Sequence, residues 1–100
     1  MAKLIVIYNQ PNNQAGFDEH YFHVHIPLAQ KLPNLKNASI NKVLQAQHTD
    51  ANLYLIAELE FDQVALLNES LASPEGQMVQ KDLGNLLEFL DTPPVIIITE

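Results

Sequence analysis

Two short runs, Leu4-Ile5-Val6-Ile7-Tyr8 and Val95-Ile96-Ile97-Ile98, are β-branched, aliphatic or aromatic throughout, with no polar alternation. Successive side chains of a strand point to opposite faces, so both runs present apolar groups on both sides and need cover on both. A sheet holding them has one face for its own helices and a second that the chain alone leaves wet. If half of roughly six such side chains are exposed, burying them at roughly 1.5–3 kcal/mol each favours association by several kcal/mol before its entropic cost. The expected arrangement is a homodimer through the uncovered sheet face. An acidic helix face paired with a second protein, or an apolar face simply left in water, is the alternative, since ordinary surfaces are largely apolar.

Between these runs the pattern changes period in a recognisable order. Lys3 to Asn9 reads as a buried first strand closed by the turn-rich Asn9-Gln10-Pro11-Asn12-Asn13. A helix follows from about Gln14 to Lys31, with Asp18 and Glu19 near its positive end and Pro33-Asn34 past its close. Lys36 to Gln47 alternates weakly. Asn52 to Phe61 alternates well, placing Leu53, Leu55, Ala57, Leu59 and Phe61 on one side and Tyr54, Ile56, Glu58 and Glu60 on the other. Asp62 is read as the cap of a second helix running to about Leu71, and Ser73-Pro74-Glu75 starts a third. Glu88 to Leu90 and Pro94 to Thr99 contain the last strand. The order βαββαβ, with its second helical region split, is that of a ferredoxin-like α+β sandwich: a four-stranded antiparallel sheet with helices on one face.

Composition narrows the function classes. At 100 residues and 47% hydrophobic content the chain, residues 1–100, is read as a single domain with one core. Five Lys or Arg against twelve Asp or Glu leave a formal net charge of −7, which repels a phosphate backbone, so no nucleic acid partner is expected. No apolar run approaches a membrane span and no basic region precedes an apolar signal core, so no membrane partner is expected and a cytoplasmic location is. Without cysteine there is no disulfide, thiolate nucleophile or cysteine-bound zinc.

Three of the four histidines lie in Phe17-Asp18-Glu19-His20-Tyr21-Phe22-His23-Val24-His25-Ile26-Pro27-Leu28. At about 100° per residue, Phe17, Tyr21, Val24 and Leu28 form one apolar stripe, with His20 on one shoulder and His25 on the other. Pro27 removes the N–H that would bond the His23 carbonyl and bends the axis beside His25. His25 then either anchors the kink through a hydrogen bond or serves as a general base near neutral pH.

The pattern Phe17-Asp18-x-His20-Tyr21-Phe22-x-x-His25-x-Pro27-Leu28-Ala29, followed by Leu32-Pro33-x-Leu35, Glu58-x-x-Phe61, Ser73-Pro74-Glu75-Gly76-Gln77 and Asp82-Leu83-x-Asn85, resembles the EthD family of ethyl tert-butyl ether degradation. The resemblance covers essentially the whole chain. It implies a dimeric α+β barrel, in which two four-stranded sheets face each other with helices outside. Asn34 stands where the family often has Gly, and Leu86 where an aromatic is common, which bears on the shape of a pocket wall. The resemblance does not fix a substrate, because relatives on this fold include cofactor-free oxygenases, lactone isomerases and haem-binding enzymes.

On the residues themselves, His25 is the candidate catalytic base. Tyr8, Phe17, His20, Tyr21 and Asp82 are candidate substrate-binding residues: the aromatics as a wall against a flat ligand, His20 at a pocket mouth and Asp82 as a carboxylate that fixes the His25 tautomer. Each has a plainer alternative, namely core packing for the aromatics and a solvated helix face for His20 and Asp82. Glu58 and Glu60 share one side of a strand, where Lys42 is a candidate partner. Neither a metal nor another cofactor is expected: His20 and His23 stand at i, i+3, but His23 lies outside the stripe and no third ligand follows at a recognised spacing. The reading is an EthD-like protein that binds a small apolar or aromatic metabolite for cofactor-free oxidation of monooxygenase type, or isomerisation, with an accessory or carrier protein in a degradation pathway as the alternative.

Overall fold

The computed structural model describes residues 1–100. Strands β1 (Ala2–Asn9), β2 (Asn37–Lys42), β3 (Leu53–Phe61) and β4 (Val95–Thr99) form an antiparallel sheet in the order β2-β3-β1-β4. Helices α1 (Gln14–His20) and α2 (Ile26–Ala29) connect β1 to β2, and α3 (Val64–Ala72) and α4 (Pro74–Leu86) connect β3 to β4. This is the ferredoxin-like βαββαβ arrangement expected from the sequence. No helix is long and apolar enough to cross a membrane.

Alternation divides the sheet into two faces. On the helix side, Leu4 and Tyr8 of β1 pack with Leu55, Leu59 and Phe61 of β3 beneath Phe17, Tyr21, Leu67 and Leu86 from the helices. On the other side, Ile5 stands opposite Ile97 and Ile7 opposite both Val95 and Ile56, an aliphatic patch on the face without helices. Val95 and Ile97 remain 56% and 38% exposed there.

Several local expectations change. Lys42 lies opposite Leu55, on the helix side, and pairs with Asp18 (3.3 Å). Glu58 and Glu60 are instead met by Lys3, at 3.3 and 3.6 Å, because Lys3 stands directly opposite Glu60 on the outer face. Tyr54 also departs from strict alternation. Tyr8 is opposite Leu55 while Asn9 is opposite Leu53, so Tyr54 is the extra residue of a bulge. Released from the outer face, it buries its ring against Phe17 and donates its hydroxyl to Asp18 Oδ1 at 2.7 Å. Asp62 does not cap α3, whose first turn begins after Gln63; it pairs with Lys36 at 2.8 Å. Glu88 and Phe89 fall in a tight helical turn, Leu87–Phe89, and the last strand begins at Val95. Asn34 takes the left-handed conformation, φ 67°, that its place after the helix requires.

The junction of α3 and α4 is tightly built. Ser73 caps α4 by accepting from the Gly76 N–H at 3.0 Å. A β-carbon on Gly76 would overlap the backbone carbonyl oxygens of Ser70 and Leu71, so the two helices meet only because that side chain is missing. Gly76→Ala is therefore expected to cost about 1–3 kcal/mol through overpacking, read as a lower urea midpoint with an unchanged denaturant slope.

Candidate functional site

The path from α1 to α2 is not a kinked α-helix. Residues Tyr21–His25 form a wider turn in which the Ile26 N–H reaches back five residues to the Tyr21 carbonyl. Pro27 supplies the reason: it has no N–H to continue the regular ladder, and a single i to i+5 turn before it absorbs the break. Residues five apart on a regular α-helix diverge by about 140°. The wider turn brings them onto nearly the same face, so His20 and His25 are not on opposite shoulders as the helical wheel predicts.

Both histidines converge on α4. His20 Nε2 lies 2.9 Å from Asp82 Oδ1 and His25 Nδ1 lies 2.8 Å from Asp82 Oδ2. Asn85 Nδ2, one turn further along α4, donates to Oδ1 at 2.9 Å. Asp82 and His25 are each only 7% exposed. Burial alone pushes the Asp82 carboxyl up, yet the bonds from Asn85, His25 and His20 outweigh it and hold the group below the usual carboxylate range. For His25 the balance is reversed: desolvation lowers its pKa despite the opposing pull of Asp82. A neutral imidazole beside an ionised carboxylate must donate from the nitrogen that faces it. His25 thus carries its proton on Nδ1, and Nε2 keeps a free lone pair.

That nitrogen belongs to a ring that lines a cavity of about 160 Å³ between the sheet and helices α3 and α4. The walls are Leu4 and Val6 of β1, Ile96 of β4, Leu71 of α3, and Val79 and Leu83 of α4, with Tyr8, His25 and Gln80 as the polar members. Its size matches a cavity that accommodates a benzene ring, about 150 Å³. The imidazole is held from behind by Tyr21, stacked at 5.5 Å and 21°. Tyr21 is stacked in turn on Phe17 at 5.3 Å, and Tyr8 meets both rings edge-on.

Residues 9–90 match the model of the EthD domain. The chain belongs to the EthD family. It is similar to an uncharacterized 11.0 kDa protein in the thcB-thcC intergenic region of Rhodococcus erythropolis, 35% identical over 85 residues that span 85% of this chain and 82% of that protein. The crystal structure of an EthD family protein from Bacillus halodurans superposes with a TM-score of 0.87 at 31% identity, covering all of this chain and 97% of the other. A dimeric ferredoxin-like protein of unknown function from Jannaschia superposes at TM-score 0.70 over all of this chain and 99% of the other. At 14% identity that last likeness is one of fold alone.

Within this EthD domain, of the residues singled out from sequence, Tyr8 and His25 line the cavity. Asp82 and His20 stand behind the imidazole, while Phe17 and Tyr21 are fully buried in the aromatic cluster that supports it. Leu86, at the position where an aromatic is common, lies in that same core and not on the cavity. The remaining lining residues were accessible from period alone: Leu4 and Val6 are the inward positions of β1, and Val79 and Leu83 are one helical turn apart on α4. No group of three or more His, Cys, Asp or Glu is arranged to hold a metal ion.

The pH dependence follows from these directions. The unfolded chain binds a proton at His25 near the ordinary value of 6.5 while the folded form resists it, so stability is lost as pH falls below that value. Asp82 adds stability above its ordinary value of 3.8, lost as pH falls through its lower folded value. Urea unfolding is expected to show a midpoint that declines from pH 7 to pH 5, and His25→Gln removes that part of the slope. Asp82→Ala is expected to cost about 3 kcal/mol or more, because it strips a buried carboxylate from three donors.

Proposed function

We propose that this EthD domain binds a small apolar or aromatic metabolite between helix α4 and the sheet, and that His25 acts on it as a general base. The observation that carries this reading is the neutral imidazole, oriented by Asp82 through Nδ1 and with Nε2 unpartnered, on a ring that lines a cavity otherwise walled almost wholly by aliphatic groups. A carboxylate that fixes the tautomer and stabilises the imidazolium is the arrangement that proton abstraction requires. The step moves one proton from a carbon acid or phenol of the ligand to Nε2, leaving an enolate or phenolate. Return of that proton to another atom is an isomerisation, and a cofactor-free oxidation follows only where dioxygen, as co-substrate, accepts the electrons of the enolate or phenolate. Tyr21 and Phe17 serve by holding the imidazole plane, and His20 by occupying the other oxygen of Asp82.

A ring ketone small enough for the cavity tests this directly. With acetophenone in D2O, proton NMR is expected to show methyl-hydrogen exchange faster than buffer, reduced to the buffer rate by His25→Gln. Binding of acetophenone with no acceleration would overturn the base and leave a carrier protein.

The open sheet face is the surface of a homodimer. Ile5, Ile7, Ile56, Val95 and Ile97 form a contiguous aliphatic patch there, and the Jannaschia fold relative is described as dimeric. Ile97→Glu, which buries a charge in such a contact, is expected to convert a dimer to a monomer by sedimentation velocity with little change in circular dichroism.

A further inference from the structure

The cavity's polar groups are few and of a particular kind. Tyr8 and His25 are its titratable members, and no Lys or Arg lines it. Gln80 spends its amide N–H groups on the backbone carbonyls of Leu71 and Gly76, at 2.9 and 3.2 Å. The Tyr8 hydroxyl and His25 Nε2 have no hydrogen-bond partner within the chain. Ser70 Oγ is the one side-chain polar atom both sealed from solvent and unpartnered, so the Tyr8 hydroxyl and His25 Nε2 are still open to a visiting atom. Tyr8 itself is 2% exposed, and it borders the cavity.

We infer that the Tyr8 hydroxyl and His25 Nε2 form a donor and acceptor pair that selects an uncharged, single-ring ligand bearing one hydroxyl or carbonyl oxygen. The inference deepens the reading of the cavity as a metabolite site and rests on it. The tyrosine donates to the ligand oxygen and the imidazole accepts the ligand's proton. Burial, with the charge of Asp82 nearby, pushes the Tyr8 phenol well above its ordinary value, so it remains a donor throughout the neutral range. When His25 withdraws the ligand's proton, the same hydroxyl faces the oxygen on which negative charge gathers, as a hydrogen-bond donor to an oxyanion should. A ligand carboxylate is rejected, because no cation compensates for its desolvation and Asp82 lies behind the base. A ligand ammonium is rejected too: Asp82 already has three partners, and burial of the charge is uncompensated.

Fluorine NMR with four probes tests this: fluorobenzene, 4-fluorophenol, 4-fluorobenzoate and 4-fluorobenzylammonium. Wild-type protein is expected to bind fluorobenzene weakly, 4-fluorophenol several-fold more tightly, and neither charged probe measurably. Tyr8→Phe should lower 4-fluorophenol affinity by about three- to tenfold while leaving fluorobenzene unchanged, which also reports that the cavity is intact. Failure of fluorobenzene to bind wild-type protein at all would overturn the cavity reading itself. Binding of fluorobenzene with equal affinity for the phenol, with no effect of Tyr8→Phe on the phenol, or with tighter binding of either charged probe, would overturn the selectivity pair alone.

Discussion

A single missing backbone N–H, that of Pro27, sets the register of the first helical segment and through it the position of both histidines. The wide turn Tyr21–His25 costs one regular hydrogen-bond step and returns a face on which residues five apart coincide. With that shift, His20 and His25 take the two oxygens of one carboxylate. The aromatic stack then fixes the imidazole plane from the other side. Wide turns of this kind are often found at functional sites, and here the cause lies in the residue that follows.

The burial of Asp82 follows from the same geometry. A carboxylate in so enclosed a position is tolerated because three donors satisfy it, one from the end of α1, one from the wide turn and one from its own helix. Withdraw the donors and the site becomes a buried, unpaired charge. The arrangement ties α4 to the first helical segment through polar contacts at a place where apolar packing gives way to a cavity. Ion pairs on the rest of the surface, such as Lys36 with Asp62, have no such enclosure and contribute little.

The strand and helix order was legible because β-branched runs, one well-alternating strand and the Ser73-Pro74 start each carry a period or a cap of their own. Membership in the EthD family was legible from the spacing of the His and Pro residues and from Asp82-Leu83-x-Asn85, which the matched residues 9–90 include. The union of His20 with Asp82 was not, since a wheel of fixed pitch cannot show a turn that changes pitch. Tyr54 escaped for a related reason: a bulge shifts alternation by one residue, and nothing in Asn52-Leu53-Tyr54-Leu55 marks where the extra residue sits. The pairing of Lys3 with Glu58 and Glu60 has no mark in the sequence, because strand pairing, not sequence distance, decides which charge lies opposite. Asp82 was recognisable as a possible orienting carboxylate, but its enclosure depends on contacts between elements far apart in the chain.

Adjacent residues of β4 serve opposite surfaces. Ile96 forms part of the cavity wall, whereas Ile97 belongs to the aliphatic patch on the far side of the sheet. β4 is an edge strand bonded along one side only, to β1. Any outward shift of its backbone that makes room around Ile96 must carry Ile97 with it. A displacement of this one short ribbon therefore registers on both faces of the sheet at once.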